Sequence, residues 1–265
     1  LLAALLGGRA LADRAPRSNP LFFASWTVAV AAKLFPLLWI GALIPTRRWR
    51  QVIGAVALCF ACFGIVALLA PGATLDYWTH VLPGQAAGYA AEVSIDDQSL
   101  AGFLGRVGRT GTYTLPGLDV EARHEVVWEL PWELPAELVG WVTAVIVGAL
   151  LAWLWRCWRR GDRPPDGLWF AMALLSLLPF PHMERYNHVL ALPAMAWLWS
   201  RGLPHRRVAI AAYALLALSR LNHLWALVLP SPWGPVATGL GLFGVLVLLV
   251  AVGHAMSGRA QPGMS

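Results

Sequence analysis

RRWRQVIGAVALCFACFGIVALLA, residues 47–70, decides the fold class. Three arginines crowd its start, and from Val52 to Ala70 no charged side chain follows. An α-helix rises about 1.5 Å per residue, so a run of that length crosses most of the roughly 30 Å of hydrocarbon in a bilayer. The rest of the chain has the same character. Its 265 residues are 58% apolar and 13% charged, with a mean hydropathy of +0.60, whereas a soluble domain carries about 25% charged residues. Further apolar runs near 137–156, 166–181, 187–201, 208–229 and 234–256 predict further spans. The fold class is therefore all-α: a polytopic transmembrane helical bundle, multi-pass and integral to the membrane, forming a single membrane domain over 1–265.

The net charge of +6 does not point to nucleic acid. The arginines stand in short clusters between apolar runs: Arg9/Arg14/Arg17, Arg47/Arg48/Arg50, Arg156/Arg159/Arg160/Arg163, Arg201/Arg206/Arg207 and Arg259. Such clusters mark the cytoplasmic side of a membrane protein. Placing 47–50 in the cytoplasm puts the later clusters there too, and makes 71–136 one long extracytoplasmic loop. That loop holds Asp76, Glu92, Asp96, Asp97, Asp119, Glu121, Glu125, Glu129 and Glu133 against Arg106, Arg109 and Arg123. Trp78, Trp128, Trp132 and Trp141 flank it, as amphipathic rings do at the headgroup level. A plasma-membrane location follows from this reading.

Residues 20–44 break the pattern, because both flanks are arginine-rich. Either the first cluster is an exception to the rule, or the segment is kinked or re-entrant around Pro36, which removes a helix hydrogen bond. Lys33 lies here and is the chain's one lysine. An ammonium at this depth costs about 3 kcal/mol on insertion scales, so it should face a partner, an anion or water. Snorkelling to the interface is the plainer alternative.

Within the long loop, DDQSLAGFLGRVGR (96–109) predicts a short interfacial helix. Leu100, Phe103, Leu104 and Val107 share one face. Asp96 or Asp97 caps its start, and Arg106 and Arg109 complement the dipole at its end. Gln98 is not needed for a cap and is free to face the membrane interior. Farther on, GLGLFG (239–244) matches a dinucleotide fingerprint in letters only. No strand precedes it, so small-residue helix packing accounts for it. The cysteines suggest neither a disulfide framework nor a metal site; Cys59 and Cys62 lie inside an apolar run.

A last cluster stands at a turn between two apolar runs: His182, Glu184, Arg185, Tyr186 and His188. Pro179 and Pro181 break the helix before it. Glu184 can pair with His188, and His182 with Tyr186, each at i, i+4. An ordinary polar turn is one reading; groups held this tightly against a bundle are functional candidates on the other.

Taken in order, KLFP (33–36), RRWR (47–50), DYW (76–78), DQSLAG (97–102) and PHMERY…LALP (181–193) resemble glycosyltransferase family 87. The resemblance runs over about residues 20–200 and implies a GT-C fold, of which this would be the C-terminal portion. It further implies transfer of a hexose, mannose above all, from a polyprenyl-phosphate donor to a glycan or glycolipid acceptor at the extracytoplasmic face. The departing phosphate needs cations or hydrogen-bond donors where its charge develops, and Lys33, Gln98, His182 and Arg185 are assigned that role. Asp76, Tyr186 and His188 are assigned to the substrate lining. A carboxylate base is required for the acceptor hydroxyl. Asp97 and Glu184 are the candidates within the chain, although Asp97 stands where relatives carry Asn. In GT-C enzymes the essential acid usually lies in the first external loop. The chain opens on LLAALLGG, which reads as the tail of an earlier span, so the base is expected upstream of residue 1. Neither a metal nor a cofactor is called for beyond the lipid-linked donor, and the partners are the bilayer, that donor and the acceptor. A secondary transporter and a non-catalytic membrane subunit are the alternative readings.

Overall fold

The structure, a computed structural model, describes residues 20–32, 35–81, 94–116, 123–161, 165–179 and 185–257. Among the described residues, four helices are long and apolar enough to cross a bilayer: Trp49–Leu69, Glu137–Arg160, Leu203–Val228 and Leu240–Ser257. The protein is an all-α polytopic membrane protein. In chain order the helices are α1 (Pro20–Ala32), α2 (Trp49–Leu69), α3 (Pro71–Asp76), α4 (Leu100–Gly108), α5 (Ala136–Arg160) and α6 (Pro165–Leu175). They continue as α7 (Leu192–Trp199), α8 (Leu203–Leu218), α9 (Asn222–Val228), α10 (Trp233–Ala237) and α11 (Leu240–Ser257).

Two of the predicted spans are not long helices. The run at 166–181 folds as α6, eleven residues, followed by tight turns through Pro179. The run at 187–201 folds as a 3₁₀ segment, Arg185–Ala191, leading into the eight-residue α7. Eleven residues of α-helix reach only about 17 Å. These runs are apolar because they are core: from Leu168 to Leu178 the side chains are almost wholly buried. Apolar length alone does not separate a core helix from a lipid-facing one. By contrast, only 11% of the α2 window is buried, so that helix packs little against the other described residues.

Residues 20–44 form α1 and then a 3₁₀ segment, Phe35–Ala42, with the break falling before Pro36. Their lengths are about 20 Å and 16 Å. Lys33 lies outside the described residues. Trp39 anchors the 3₁₀ segment: its indole Nε1 donates to Ser176 Oγ at 2.9 Å, and its ring meets Trp169 edge-on at 5.6 Å. Both indoles are buried.

Contacts at its ends orient the bundle. Leu134 N donates to Gly108 O and Leu100 N to Leu178 O, so α4 sits beside the start of α5 and the end of α6. At the other end of α5, Gly161 abuts the Met256 carbonyl near the end of α11. Arg201 lies 3.8 Å from Asp166, which also accepts from Trp197 Nε1 at 2.7 Å. The arginine turns thus gather at one end of the bundle and the 94–134 region at the other.

The long loop is not irregular throughout. Residues Gly111–Pro116 and Arg123–Trp128 form an antiparallel hairpin, β1 and β2, with Gly111 opposite Trp128 and Thr114 opposite Glu125. Thr112, Tyr113, Thr114, Val126 and Val127 are residue types that a pleated strand favours, a signal hidden by the acids around them. Trp128 was expected at the membrane surface, yet it is only 1% exposed. It closes a small cluster with Ile95 and Ala226. Trp132 and Trp141 do stay exposed.

Removing the Trp39 hydrogen bond alone (Trp39→Phe) should cost about 1–2 kcal/mol, and Trp39→Ala about 3–5 kcal/mol through the cavity as well. Thermal unfolding in detergent should therefore rank wild type above the Phe variant and the Phe variant above the Ala variant.

Candidate functional site

The site begins with a loop that α4 holds against itself. Asp97 N donates to Ser94 O at 3.2 Å, closing a turn. Asp97 Oδ1 accepts from Ser99 N, and Ser99 Oγ accepts from Gly102 N, each at 2.9 Å. Ser99, not Asp96 or Asp97, is therefore the N-cap, and the helix starts at Leu100 rather than at 96. The two-residue distance from Asp97 lets its carboxylate brace the cap from outside, over Gly102, where a Cβ would meet the carboxylate at 2.6 Å. Arg106 was expected to serve the helix C-terminus. Instead its buried guanidinium turns back and donates from Nη1 to the carbonyls of Ser94 and Asp97.

The loop so fixed projects Gln98 into the bundle, where it is 1% exposed. Its Nε2 donates to Thr238 O at 3.0 Å and to Ile95 O at 3.4 Å. Asn222 Nδ2, at the head of α9, reaches the same Ile95 carbonyl at 3.4 Å. With the amide N–H groups committed to carbonyls, Oε1 is left as the acceptor facing inward, and no donor among the described residues reaches it. A methyl on Gly241 would lie 2.6 Å from that oxygen and would also strike the Cε1 of His188. Gln98 and His188, ninety residues apart, thus meet across the bare backbone of Gly241. The glycines of GLGLFG are packing points: Gly239 lies under Phe103, and Gly244 under Leu216 and the Ala212 carbonyl.

Around this contact stand Asn187, buried, and the His223–Asp96 pair, with Nε2 3.2 Å from Oδ2 and both side chains partly exposed. Every element involved ends here: the loop 94–99, the 3₁₀ segment, the start of α9 and the start of α11. The result is a wall of three amides and an imidazole beside a more exposed carboxylate–histidine pair. Neutral groups of this kind recognise hydroxyl, amide and phosphoryl oxygen without burying net charge. Among the described residues no group of three or more His, Cys, Asp or Glu comes together as metal ligands would.

The remaining sequence candidates fall as follows. Asp76 ends α3 on an exposed face and pairs with His80 at 3.2 Å. Arg185 and Tyr186 open the 3₁₀ segment that carries His188. Lys33, His182 and Glu184 lie outside the described residues. Asn187, Asn222 and His223 were not singled out, and Asp96 was read only as a possible helix cap. The Asn222–His223 pair, two polar residues inside an apolar run, carried the usual signal of an intramembrane site; its pairing with Asp96, 127 residues away, left no trace in the sequence.

Amide and imidazole groups thus gather at one end of a bundle of membrane-crossing helices. A family model for glycosyltransferase family 87 matches residues 1–181. The chain belongs to that family, and so to the membrane glycosyltransferases. The match ends one residue before His182, which leaves His188 and Gly241 beyond it. No curated protein and no solved structure matches the chain.

Gly241→Ala should separate Gln98 from His188 and reduce sugar transfer about tenfold or more, since misplacement by an ångström has that order of effect. Gly140→Ala, where nothing lies within 4 Å of the new methyl, should leave both transfer and melting temperature unchanged. Equal activity of the two variants would remove Gly241 from the site.

Proposed function

We propose that the protein transfers a hexose, with mannose first among candidates, from a polyprenyl-phosphate donor to a glycan or glycolipid acceptor. The reaction takes place at the end of the bundle away from the arginine turns, which on the positive-inside rule is the extracytoplasmic face of the plasma membrane. One observation carries this reading: in a family of membrane glycosyltransferases, Gln98 and His188 converge on Gly241 at that end of the bundle.

The geometry divides the labour. A phosphate oxygen accepts hydrogen bonds, and the Gln98 donors are already engaged, so its Oε1 suits a sugar hydroxyl instead. Stabilising the departing phosphate is assigned instead to Lys33, His182 and Arg185, which carry cationic or ring N–H donors. Arg185, Tyr186 and His188 belong to one 3₁₀ segment, which suits that segment to serve phosphate and sugar together. The acceptor hydroxyl still requires a carboxylate. Asp97 is engaged at the helix cap, which leaves Glu184 as the candidate base among the residues assigned to the site. Asp76 is kept as a lining residue for the acceptor side.

The test uses the full-length protein in bilayer nanodiscs with polyprenyl-phosphate mannose, polyprenyl-phosphate glucose and nucleotide sugars as donors. Transfer from a polyprenyl phosphate, with nucleotide sugars inert, is the expected result; the opposite preference overturns the donor assignment. Lys33→Ala and His182→Ala should each abolish transfer while membrane insertion persists. Gln98→Ala should lower kcat about 10- to 100-fold, and Gln98→Glu should lose all activity by setting a carboxylate against the Ile95 and Thr238 carbonyls. Wild-type turnover in the Lys33 and His182 variants would refute their role.

A further inference from the structure

At the arginine end, away from the site, a large groove opens between the 3₁₀ segment Phe35–Ala42 and the second half of α5. Its volume is about 1170 Å³, above the roughly 300–1,000 Å³ of small-molecule sites. Ile40 and Ile44 line one side, Leu151 and Trp155 the other, and the buried Leu168 and Met172 the bottom. Arg156, Arg159 and Arg160 line its end. All three are exposed, and none forms an ion pair with a described residue.

The dimensions match one leaflet of a bilayer. Along α5 the groove runs from Gly148 to Arg160, a rise of about 18 Å, while half of the hydrocarbon core is about 15 Å. Apolar walls therefore fill the acyl depth, and the guanidinium groups fall where headgroup phosphates lie. Arginine is the side chain best suited to that contact: planar, permanently charged and able to bind phosphate through two parallel hydrogen bonds. A free anion would have no use for the apolar length, and an uncharged lipid none for three arginines.

We infer that this groove binds an anionic glycerophospholipid of the leaflet on the arginine side, its acyl chains between α5 and the 35–45 segment and its phosphate on Arg156, Arg159 and Arg160. The inference does not depend on the reaction proposed above, and its readout involves no sugar transfer. Because the 35–45 segment follows directly on Lys33, the bound lipid would brace the segment that carries that lysine.

The test is retention of lipid by the full-length protein, measured by native mass spectrometry after exchange into detergent with equal amounts of phosphatidylglycerol and phosphatidylcholine of identical chains. Phosphatidylglycerol should be retained selectively and should resist displacement by millimolar inorganic phosphate. Selectivity should fall about 100-fold in Arg156→Gln/Arg159→Gln/Arg160→Gln, three headgroup attractions being lost together. It should be unchanged in Arg206→Gln, whose guanidinium lies over Trp199 on another surface. Gly148→Leu, where the new side chain enters open groove, should expel both lipids. In unaltered protein, phosphatidylglycerol with a diazirine in its acyl chain should label Leu151, Trp155 or Ile44. Equal retention of the two lipids, displacement by inorganic phosphate, or labelling confined to other helices would each overturn the proposal. So would the finding that another stretch of the polypeptide, captured by cross-linking at position 148, occupies the groove.

Discussion

Among the side chains whose burial is described, Asp97 and Arg106 are the only buried Asp, Glu, Lys or Arg, and the candidate site depends on the Arg106 guanidinium that ties the loop carbonyls. A buried charge is tolerated only when nearly every donor it carries is used. At Arg106, Nη1 reaches back along its own helix to the carbonyls of Ser94 and Asp97. The consequence is a closed circuit in which α4 fixes the loop that precedes it, Asp97 braces the cap of α4, and Gln98 is trapped between pinned neighbours. Both ends of α4 are then tied to the bundle, through Leu178 and Leu134. Gln98 thus comes to the site without conformational freedom to lose, as preorganised recognition requires.

What could be read from the sequence was whatever depends on composition and short-range spacing. Long apolar runs such as 52–70 specify helices that cross lipid, and arginine clusters specify which ends lie together. Short-range signals also picked out Gln98 and His188, because a polar residue in an apolar setting costs too much to be idle. Long-range pairing was the part that could not be read. Nothing at Gln98 points to Thr238, and nothing at Asp96 points to His223, since side-chain contacts across 127 or 140 residues leave no period in the chain. The same limit explains α6 and the 185–199 segment, where core burial and lipid exposure select the same residue types. It also explains Trp128, a residue type equally at home on a headgroup surface and under a hairpin. The GLGLFG motif was legible as packing, but not as the place where two site residues meet.

The two ends of the molecule solve opposite electrostatic problems. At the arginine end the charges are exposed at the rim, where hydration and headgroups accept them at little cost. At the other end the polar groups lie deep, and apart from Asp97 and Arg106 they are hydroxyls, amides and one imidazole. An amide inside a low-dielectric bundle keeps a strong acceptor and donor without a net charge to desolvate. That division explains why Gln98 is an amide rather than a carboxylate. Its nitrogen must bond two backbone carbonyls that would repel an anion, and only then does its oxygen point past Gly241 toward His188. A residue able to donate on one side and accept on the other is the one solution the local backbone permits, and glycine at 241 is the condition for reaching it.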